Sequence, residues 1–299
     1  MEQPIQSANT ESSTKITKSS LSNIQHFSSI PISASILSIE DDAFSECFNL
    51  RSIVVDSNNT QFASIDGILF TKNLKTLLCF PVDYYLSTYE IPNYVTSIGN
   101  SSFCNCSKLP SITIPTSVTS IGNHSFYKCL NLRSVTIPES VTSIGSSAFS
   151  FCDNLKSINV HSGNSQYISI DGILFTKNLK TLLCFPANHH LSKYIVPKTV
   201  TSIGHSAFSE CSNLCSIEIP ISIKVIGDHA FELCRKLDSI TIPASVTSIG
   251  NSAFFRCYNL RSVTIPASVT SIGSSAFSFC SSLEYINVDC DNSQYISID

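Results

Sequence analysis

A glycine recurs every 23 residues through most of this chain, at Gly99, Gly122 and Gly145 and again at Gly204, Gly227, Gly250 and Gly273. Six of these glycines close the pentapeptide Val-Thr-Ser-Ile-Gly, and Glu40 holds the same place in a degenerate first copy. A fixed period of this length restricts the fold more than any other feature. A unit so short cannot bury its own apolar face and gains a core only by stacking on similar neighbours. The expected architecture is a repeat solenoid, which argues against an enzyme.

Within the unit every apolar letter forms a column. Four residues after the glycine stands Phe103, Phe126, Phe149, Phe208, Phe231, Phe254 or Phe277, with Phe44 in the first copy. Three further on stands a cysteine (Cys47, Cys106, Cys129, Cys152, Cys211, Cys234, Cys257 or Cys280), and then a leucine that opens Leu-x-x-Ile-x-Ile. That spacing is the strand signature of leucine-rich repeats. Alternation with period 2 turns Ile112 and Ile114 inward and leaves Thr113 outside. The proline that follows, such as Pro115 or Pro243, has no N–H to donate and ends the ladder. Val-Thr-Ser-Ile, rich in β-branched residues, is expected as a second short strand on the opposite wall, with the glycine making the turn out of it. Ser-Ala-Phe-x-x-Cys is too short for a regular helix and is expected as one helical or 3₁₀ turn that plugs the interior with its phenylalanine. Ten strand-opening leucines from Leu50 to Leu283 then predict a right-handed, β-rich leucine-rich-repeat solenoid. Its parallel sheet should be roughly 45 Å long, at about 4.8 Å per strand.

Two intervals break the rule, because Leu50 to Leu86 and Leu155 to Leu191 are each 36 residues. In these variant repeats, residues 50–85 and 155–190, the Val-Thr-Ser-Ile-Gly half gives way to a different segment. It reads Ser-Ile-Asp-Gly-Ile-Leu-Phe-Thr-Lys-Asn-Leu-Lys-Thr-Leu-Leu-Cys-Phe-Pro and is identical over 18 residues at 64–81 and 169–186. Asp66-Gly67 and Asp171-Gly172 between alternating apolar flanks are a two-residue β-hairpin signal. A second turn at Lys72-Asn73 or Lys177-Asn178 extends each hairpin into a small β-meander. The identity points to a recent internal duplication, since packing alone accepts many substitutions. Residues 292–299 repeat 164–171 without change, so 283–299 read as a truncated variant repeat.

With 42% apolar residues the chain has ample core for one elongated domain over residues 36–299. Residues 1–35 are polar and serine-rich, expected to be partly disordered or a cap. Net charge is −4 and only 13% of residues are charged, which favours neither nucleic acid nor an anionic membrane as partner. No apolar run has the length of a signal-peptide core or of a membrane span.

Eight of the 13 cysteines share one column. Stacked in register, their side chains run alongside one another and not toward one another, so a buried reduced ladder is expected in place of disulfides. Cys104, Cys215 and Cys290 stand outside the pattern and are the candidates for oxidation. Neither Cys104-Asn105-Cys106 nor Cys211 with Cys215 has the paired spacing or histidine partners of a zinc site, and no metal or cofactor is expected. His124, His205 and His229 fall at a tolerant position past the glycine. His189-His190 replaces Tyr84-Tyr85 of the first meander and is read as a loop cap. There is no phosphate loop, paired-carboxylate motif or nucleophile elbow, and no catalytic residue is assigned.

The long motif Val-Thr-Ser-Ile-Gly-x-x-Ala-Phe-x-x-Cys-x-x-Leu-x-Ser-Ile-x-Ile-Pro, repeated over residues 36–288, resembles the BspA-like (Treponema pallidum-type) leucine-rich-repeat family. The Asp-Gly-Ile-Leu-Phe segments look like the hairpin islands in that family's arrays. The resemblance implies a surface antigen or adhesion-type protein that binds host or neighbouring-cell proteins, at the cell surface or secreted. The chain departs from secreted members in showing no leader or anchor, so a cytoplasmic protein-interaction scaffold is the alternative. On either reading a solenoid offers an extended sheet whose outward positions vary without touching the core. Those positions are Thr113, Thr136, Asn159, Glu218, Thr241, Thr264 and Asn287, flanked by Arg133, Lys156 and Arg261. They are the candidate contact residues for a protein partner, and equally read as a solvated face of good β-propensity.

Overall fold

The computed structural model describes residues 14–296 apart from 24 and 87. The chain winds into a β-solenoid of about 12 turns. Among the described residues the only helical segment is the 3₁₀ turn Ser19–Leu21.

Each coil has three walls. The first is the Leu-x-x-Ile segment, where Ser134–Ile137 pairs in parallel with Ser157–Val160, and Ser262–Ile265 with Tyr285–Val288. The second is Val-Thr-Ser-Ile. There Ser97–Ile98, Ser120–Ile121 and Ser143–Ile144 form one parallel ladder, and Ser202–Ile203, Val225–Ile226, Ser248–Ile249 and Ser271–Ile272 form another. The longest sheets, of six and seven strands, run on this second wall. The continuous first-wall sheet expected from the leucine spacing does not form. It is cut at each meander and thins elsewhere to single bridges, Ser111 with Ser134 and Ser216 with Ser239.

The third wall corrects a second expectation. Ser-Ala-Phe-x-x-Cys is neither an α-helical nor a 3₁₀ turn. Each copy from Phe103 onward holds two residues in the left-handed region, for example His124 (φ 53°) with Lys128 (φ 57°), and Ser252 (φ 51°) with Arg256 (φ 59°). That backbone aims alternate N–H groups along the solenoid axis. Ser101, Phe103 and Asn105 donate to the carbonyls of Asn123, Ser125 and Tyr127 at 2.7–2.9 Å, and Ser252, Phe254 and Arg256 donate to Ser274, Ala276 and Ser278 in the same way. A helix would bond its donors within the segment. Here they form a ladder of turns that joins coil to coil.

The repeat glycine also has a different reason from the one expected. None of the seven has a positive φ. A Cβ on Gly145, Gly250 or Gly273 would lie 2.3–2.4 Å from the backbone nitrogen of Asn123, Asp228 or Asn251 in the preceding coil. Glycine is required because neighbouring coils touch at this point.

The phenylalanine column fills the interior. Phe80, Phe103, Phe126 and Phe149 form one stack and Phe185, Phe208, Phe231, Phe254 and Phe277 another, with ring centroids 4.9–5.4 Å apart. All 13 cysteines are free, and the ladder cysteines are buried. Their thiols also tie coil to coil, since Cys129, Cys152, Cys234, Cys257 and Cys280 donate to the carbonyls of Phe103, Phe126, Phe208, Phe231 and Phe254 at 3.0–3.1 Å. Cysteine is the small, largely apolar side chain that can do this in a core.

Both meanders form as expected. Phe62–Ile65 and Ile68–Thr71 are antiparallel with Ile65 opposite Ile68. Asp66 (φ 52°) and Gly67 (φ 81°) make a primed turn between them. Thr76–Cys79 then pairs antiparallel with Ile68–Thr71 and parallel with Ser97–Ile98, which returns the chain to register. Residues 167–184 repeat the arrangement. Each hairpin lies against the free edge of the first-wall strand before it: Ile53 N–H donates to Gly67 O and Val55 N–H to Ser64 Oγ, as Ile158 and Val160 do to Gly172 O and Ser169 Oγ. A Cβ on Gly67 or Gly172 would stand 2.8 or 2.7 Å from the Cβ of Ser52 or Ser157. Buried Asn59, Asn164 and Asn292 pin the entry to each variant repeat, donating to two carbonyls and accepting from two backbone N–H groups. The identical segments are thus constrained by the coils on both sides, and they divide the core into three apolar clusters.

The solenoid also begins before residue 36. Lys15–Ile16 pairs with Ser38–Ile39 and Ser29–Ile32 with Ser52–Val55, burying Ile16, Leu21, Ile30 and Ile32. Polar residues between these few apolar ones mask the pattern in the sequence. Residues 1–13 of the polar segment, and 297–299 of the truncated variant repeat, lie outside the described residues.

Phe254 is fully buried between Phe231 and Phe277. Phe254→Ala is expected to lower stability by about 3–5 kcal/mol through the cavity it leaves, and Thr136→Ala on the wet face by less than about 0.5 kcal/mol. Denaturant titration of both variants checks the difference, and equal losses would reverse the inward and outward assignments.

Candidate binding surface

All seven outward positions named from the alternation are exposed, and so are Arg133, Lys156 and Arg261. Register brings them together in rows: Thr136 stands opposite Asn159, Thr264 opposite Asn287, Thr113 opposite Glu90, and Glu218 opposite Ile195. Thr241 belongs to a coil whose strand is reduced to the bridge at Ser239. The face is not one continuous strip. The second meander separates Thr113, Thr136 and Asn159 from Glu218, Thr241, Thr264 and Asn287. Two apolar residues in the same outward rows, Val54 and Ile195, are 54% and 68% exposed. Sequence reasoning passed over them because the alternation was read for polar residues.

A second polar surface runs along the Val-Thr-Ser-Ile wall and was not foreseen. Where the first block of coils meets the second, a groove of about 480 Å³ opens between Ile144–Ser150 on one side and the Ser202, Gly227, Ser248 and Ser271 positions on the other. His205 and Asp228, 3.5 Å apart, lie in its wall. At the equivalent junction, beside the first meander, the turn seam is closed: Asn100 Nδ2 donates to Asp41 Oδ2 and Asn105 Nδ2 to Ser45 O, both at 2.8 Å, and the void beside Phe44 is about 10 Å³, while a second-wall groove of about 380 Å³ lined by Asp41, Leu78, Gly99 and Asn100 stops short of Phe44. Relative to that junction the second has His205 in place of Asn100 and Glu210 in place of Asn105. Its direct side-chain hydrogen bond is the Ser147 to Ser206 hydroxyl contact of 2.9 Å.

Charged side chains also gather at this junction. Glu210, nearly buried, pairs with Arg235 at 3.2 Å. Burial pushes the Glu210 carboxyl up to about 7, with Arg235 opposing the shift and Asp153 and Glu232 adding to it. Burial raises Asp153 as well. The first junction carries its charge at the surface, where Asp83 pairs with Arg51 and Lys108 and is held low by both.

Asp171, His189 and His190 bring potential ligand atoms within 4.8 Å of one another. The His189 ring is already engaged by Asp171 O at 2.8 Å and by the Leu191 N–H at 3.4 Å. It fills the role that Tyr84 plays toward Asp66 O in the first meander, which is the loop cap read from the sequence.

The folded state holds the Glu210 proton more tightly than an unfolded chain, in which glutamate titrates near its ordinary value. The folding stability contributed by this group is therefore fully present below about pH 4.5 and is lost as pH rises through about 7. Glu210→Gln is expected to flatten the stability profile between pH 5 and 8 by about 1–2 kcal/mol, discounted for the half-exposed Arg235 partner. Thermal unfolding across that range measures it. Among the thiols, exposed Cys290 is expected to alkylate first in the native protein and half-buried Cys104 and Cys215 more slowly, with Cys129, Cys152 and Cys234 reacting only after denaturation. Burial raises these last three thiols and closes access to them. Peptide mapping after timed labelling gives the order.

The same chain has recognisable relatives. A family model described as BspA type leucine rich repeat region, in 6 copies, matches residues 3–76, 78–186 and 183–297. Comparison with curated protein sequences gives no match. Among solved structures, a leucine rich cell surface protein from Faecalibacterium prausnitzii A2-165 is similar with 27% identity and a TM-score of 0.64, over 95% of this chain and 86% of that one. A leucine-rich repeat protein from Eubacterium ventriosum shares 30% identity with a TM-score of 0.52, over 76% of this chain and 58% of its own. The pneumococcal vaccine antigen PcpA shares the fold at 22% identity and a TM-score of 0.59, over 89% and 70% of the two chains.

Proposed function

Because the chain belongs to the BspA-type leucine-rich-repeat family, we propose that it is a non-enzymatic protein-binding module of adhesion type, acting at the cell surface or after secretion, whose partner docks on the outward face of the first wall. The observation that carries this reading is the register of the outward row. Thr136 with Asn159 and Thr264 with Asn287 place exposed, uncharged side chains side by side on a rigid sheet. Exposed Val54 and Ile195 lie in the same rows. A rigid sheet presents such groups at no ordering cost on binding, and small contacts summed over a large area suit a protein surface and not a small molecule. The likeness to a cell surface protein supports the location. No described helix is long and apolar enough to cross a membrane.

Thr136, Asn159 and Thr264 changed together to Lys are expected to weaken binding to a host or matrix protein at least about tenfold while leaving the fold intact, and wild-type affinity should change little between low and high salt. Surface plasmon resonance against candidate proteins measures both. Full affinity in the folded triple variant would move the contact surface elsewhere, and surface labelling of intact cells would decide the location.

A further inference from the structure

The groove at the second junction is bordered by a row of backbone donors without acceptors. In every other pair of stacked turns within the two blocks, three alternate N–H groups of one turn bond three alternate carbonyls of the next: His124, Phe126 and Lys128 to Ser146, Ala148 and Ser150, and His229, Phe231 and Leu233 to Asn251, Ala253 and Phe255. At the end of the first block the same positions are Ser147, Phe149 and Phe151. Among the described residues their N–H groups meet no protein acceptor. The carbonyl of Ala207, which would receive the middle one, is taken by the Phe185 N–H at 2.7 Å, because the meander returns the chain one turn early. Asp42, Phe44 and Glu46 also lack acceptors at the first junction, but there Asn100 and Asn105 close the seam to a void of about 10 Å³ beside Phe44, and the groove of about 380 Å³ on the second wall does not reach these donors. At the second, Ser147 and Phe149 line the 480 Å³ groove.

Unpaired donors in a row are a template for another chain, and the match required is set by the solenoid itself: carbonyls at alternate residues of a non-helical segment. The carboxylates around the junction, Asp153, Glu210 and Asp228, are offset by Arg235 and Lys128, so the site favours neither an anion nor a cation. The lining mixes serine hydroxyls and glycine backbone with aliphatic side chains such as Ile144, Leu183 and Ile203, and its one aromatic ring, Phe149, is buried in the phenylalanine stack and offers no platform for a sugar. We propose that this groove binds an extended, uncharged peptide segment rich in small residues, whose alternate carbonyls complete the ladder begun by Ser147, Phe149 and Phe151. The inference rests on the reading of the chain as a protein-binding module and names a second contact site, separate from the outward face of the first wall.

Two measurements test it. In the free protein the amides of Ser147, Phe149 and Phe151 are expected to exchange with deuterium at least about 100-fold faster than those of His124, Phe126 and Lys128. Equal protection would mean the junction is closed, and would overturn the proposal. The second uses a displayed library of random 12-residue peptides, selected on the wild type and titrated as synthetic peptides against the wild type and a variant whose junction is closed as the first one is, Ser146→Asp with His205→Asn and Glu210→Asn. Selected peptides should bind the wild type, protect the three amides, and bind the closed variant at least about tenfold more weakly. Selection of no peptide, equal binding to both proteins, or binding that leaves the amides unprotected would overturn it. Because the probe is a peptide library and the site lies off the first wall, loss of the outward-face reading leaves this test standing, and failure here leaves that reading untouched.

Discussion

The axial backbone hydrogen bond, from an N–H in one coil to a carbonyl 22 to 24 residues away in the chain, is the interaction on which the rest of this structure depends. It runs on all three walls, including the turn wall, where two left-handed residues per coil aim the donors outward along the axis. Its length fixes the spacing of the coils, and that spacing dictates which side chains can stand in each column. Gly145, Gly250 and Gly273 have no room for a Cβ, the phenylalanine rings stack at about one coil's rise, and the cysteine thiols reach the phenylalanine carbonyls of the coil before. The period is strict for the same reason. A single inserted residue would shift the donors of its own coil against both neighbours and turn its inward side chains to the opposite face.

The two long repeats show what an insertion must do to survive in such a ladder. Their last strand, Thr76–Cys79 or Thr181–Cys184, rejoins the second-wall ladder at Ser97–Ile98 or Ser202–Ile203. Their hairpin meanwhile satisfies the free edge of the first wall through Gly67 or Gly172 and Ser64 or Ser169. The repair is complete on two walls and incomplete on the third, because Phe80 and Phe185 replace a whole turn with a single donor. Each junction therefore leaves a gap in the turn ladder, and the side chains at two or three positions decide whether it is closed by amides, as at Asn100 and Asn105, or left open beside Ser147 and Glu210. Two nearly identical insertions thus differ in the openness of their turn seams through those few side chains.

Much of this was legible in the sequence because the columns report burial directly. The period set the solenoid, the alternation in Ser-Val-Thr-Ile placed Thr136 outside and Val135 inside, Asp-Gly gave the hairpin turns, and the single cysteine column indicated free thiols in the core. These are local consequences of pattern: whether a side chain points in or out is settled by its neighbours two or three residues away. The first coil escaped notice because Ile16, Leu21, Ile30 and Ile32 are spaced among serines and threonines too widely to show a period.

The tertiary structure decided what depends on contacts between coils. Ser-Ala-Phe-x-x-Cys alone is compatible with a helical turn, and only the presence of carbonyls in the next coil makes the left-handed ladder the lower-energy choice. The repeat glycine is compatible with a turn of positive φ, and only the approach of Asn123 or Asp228 shows that the missing Cβ is what matters. The groove brings together residues 59 positions apart, Ser147 and Ser206, across an insertion whose sequence is the same at both junctions. What the sequence determined by itself was the direction in which each side chain points. What the structure added was the hydrogen-bond partners along the axis, because these lie one coil away and depend on how the chain returns to register after each interruption.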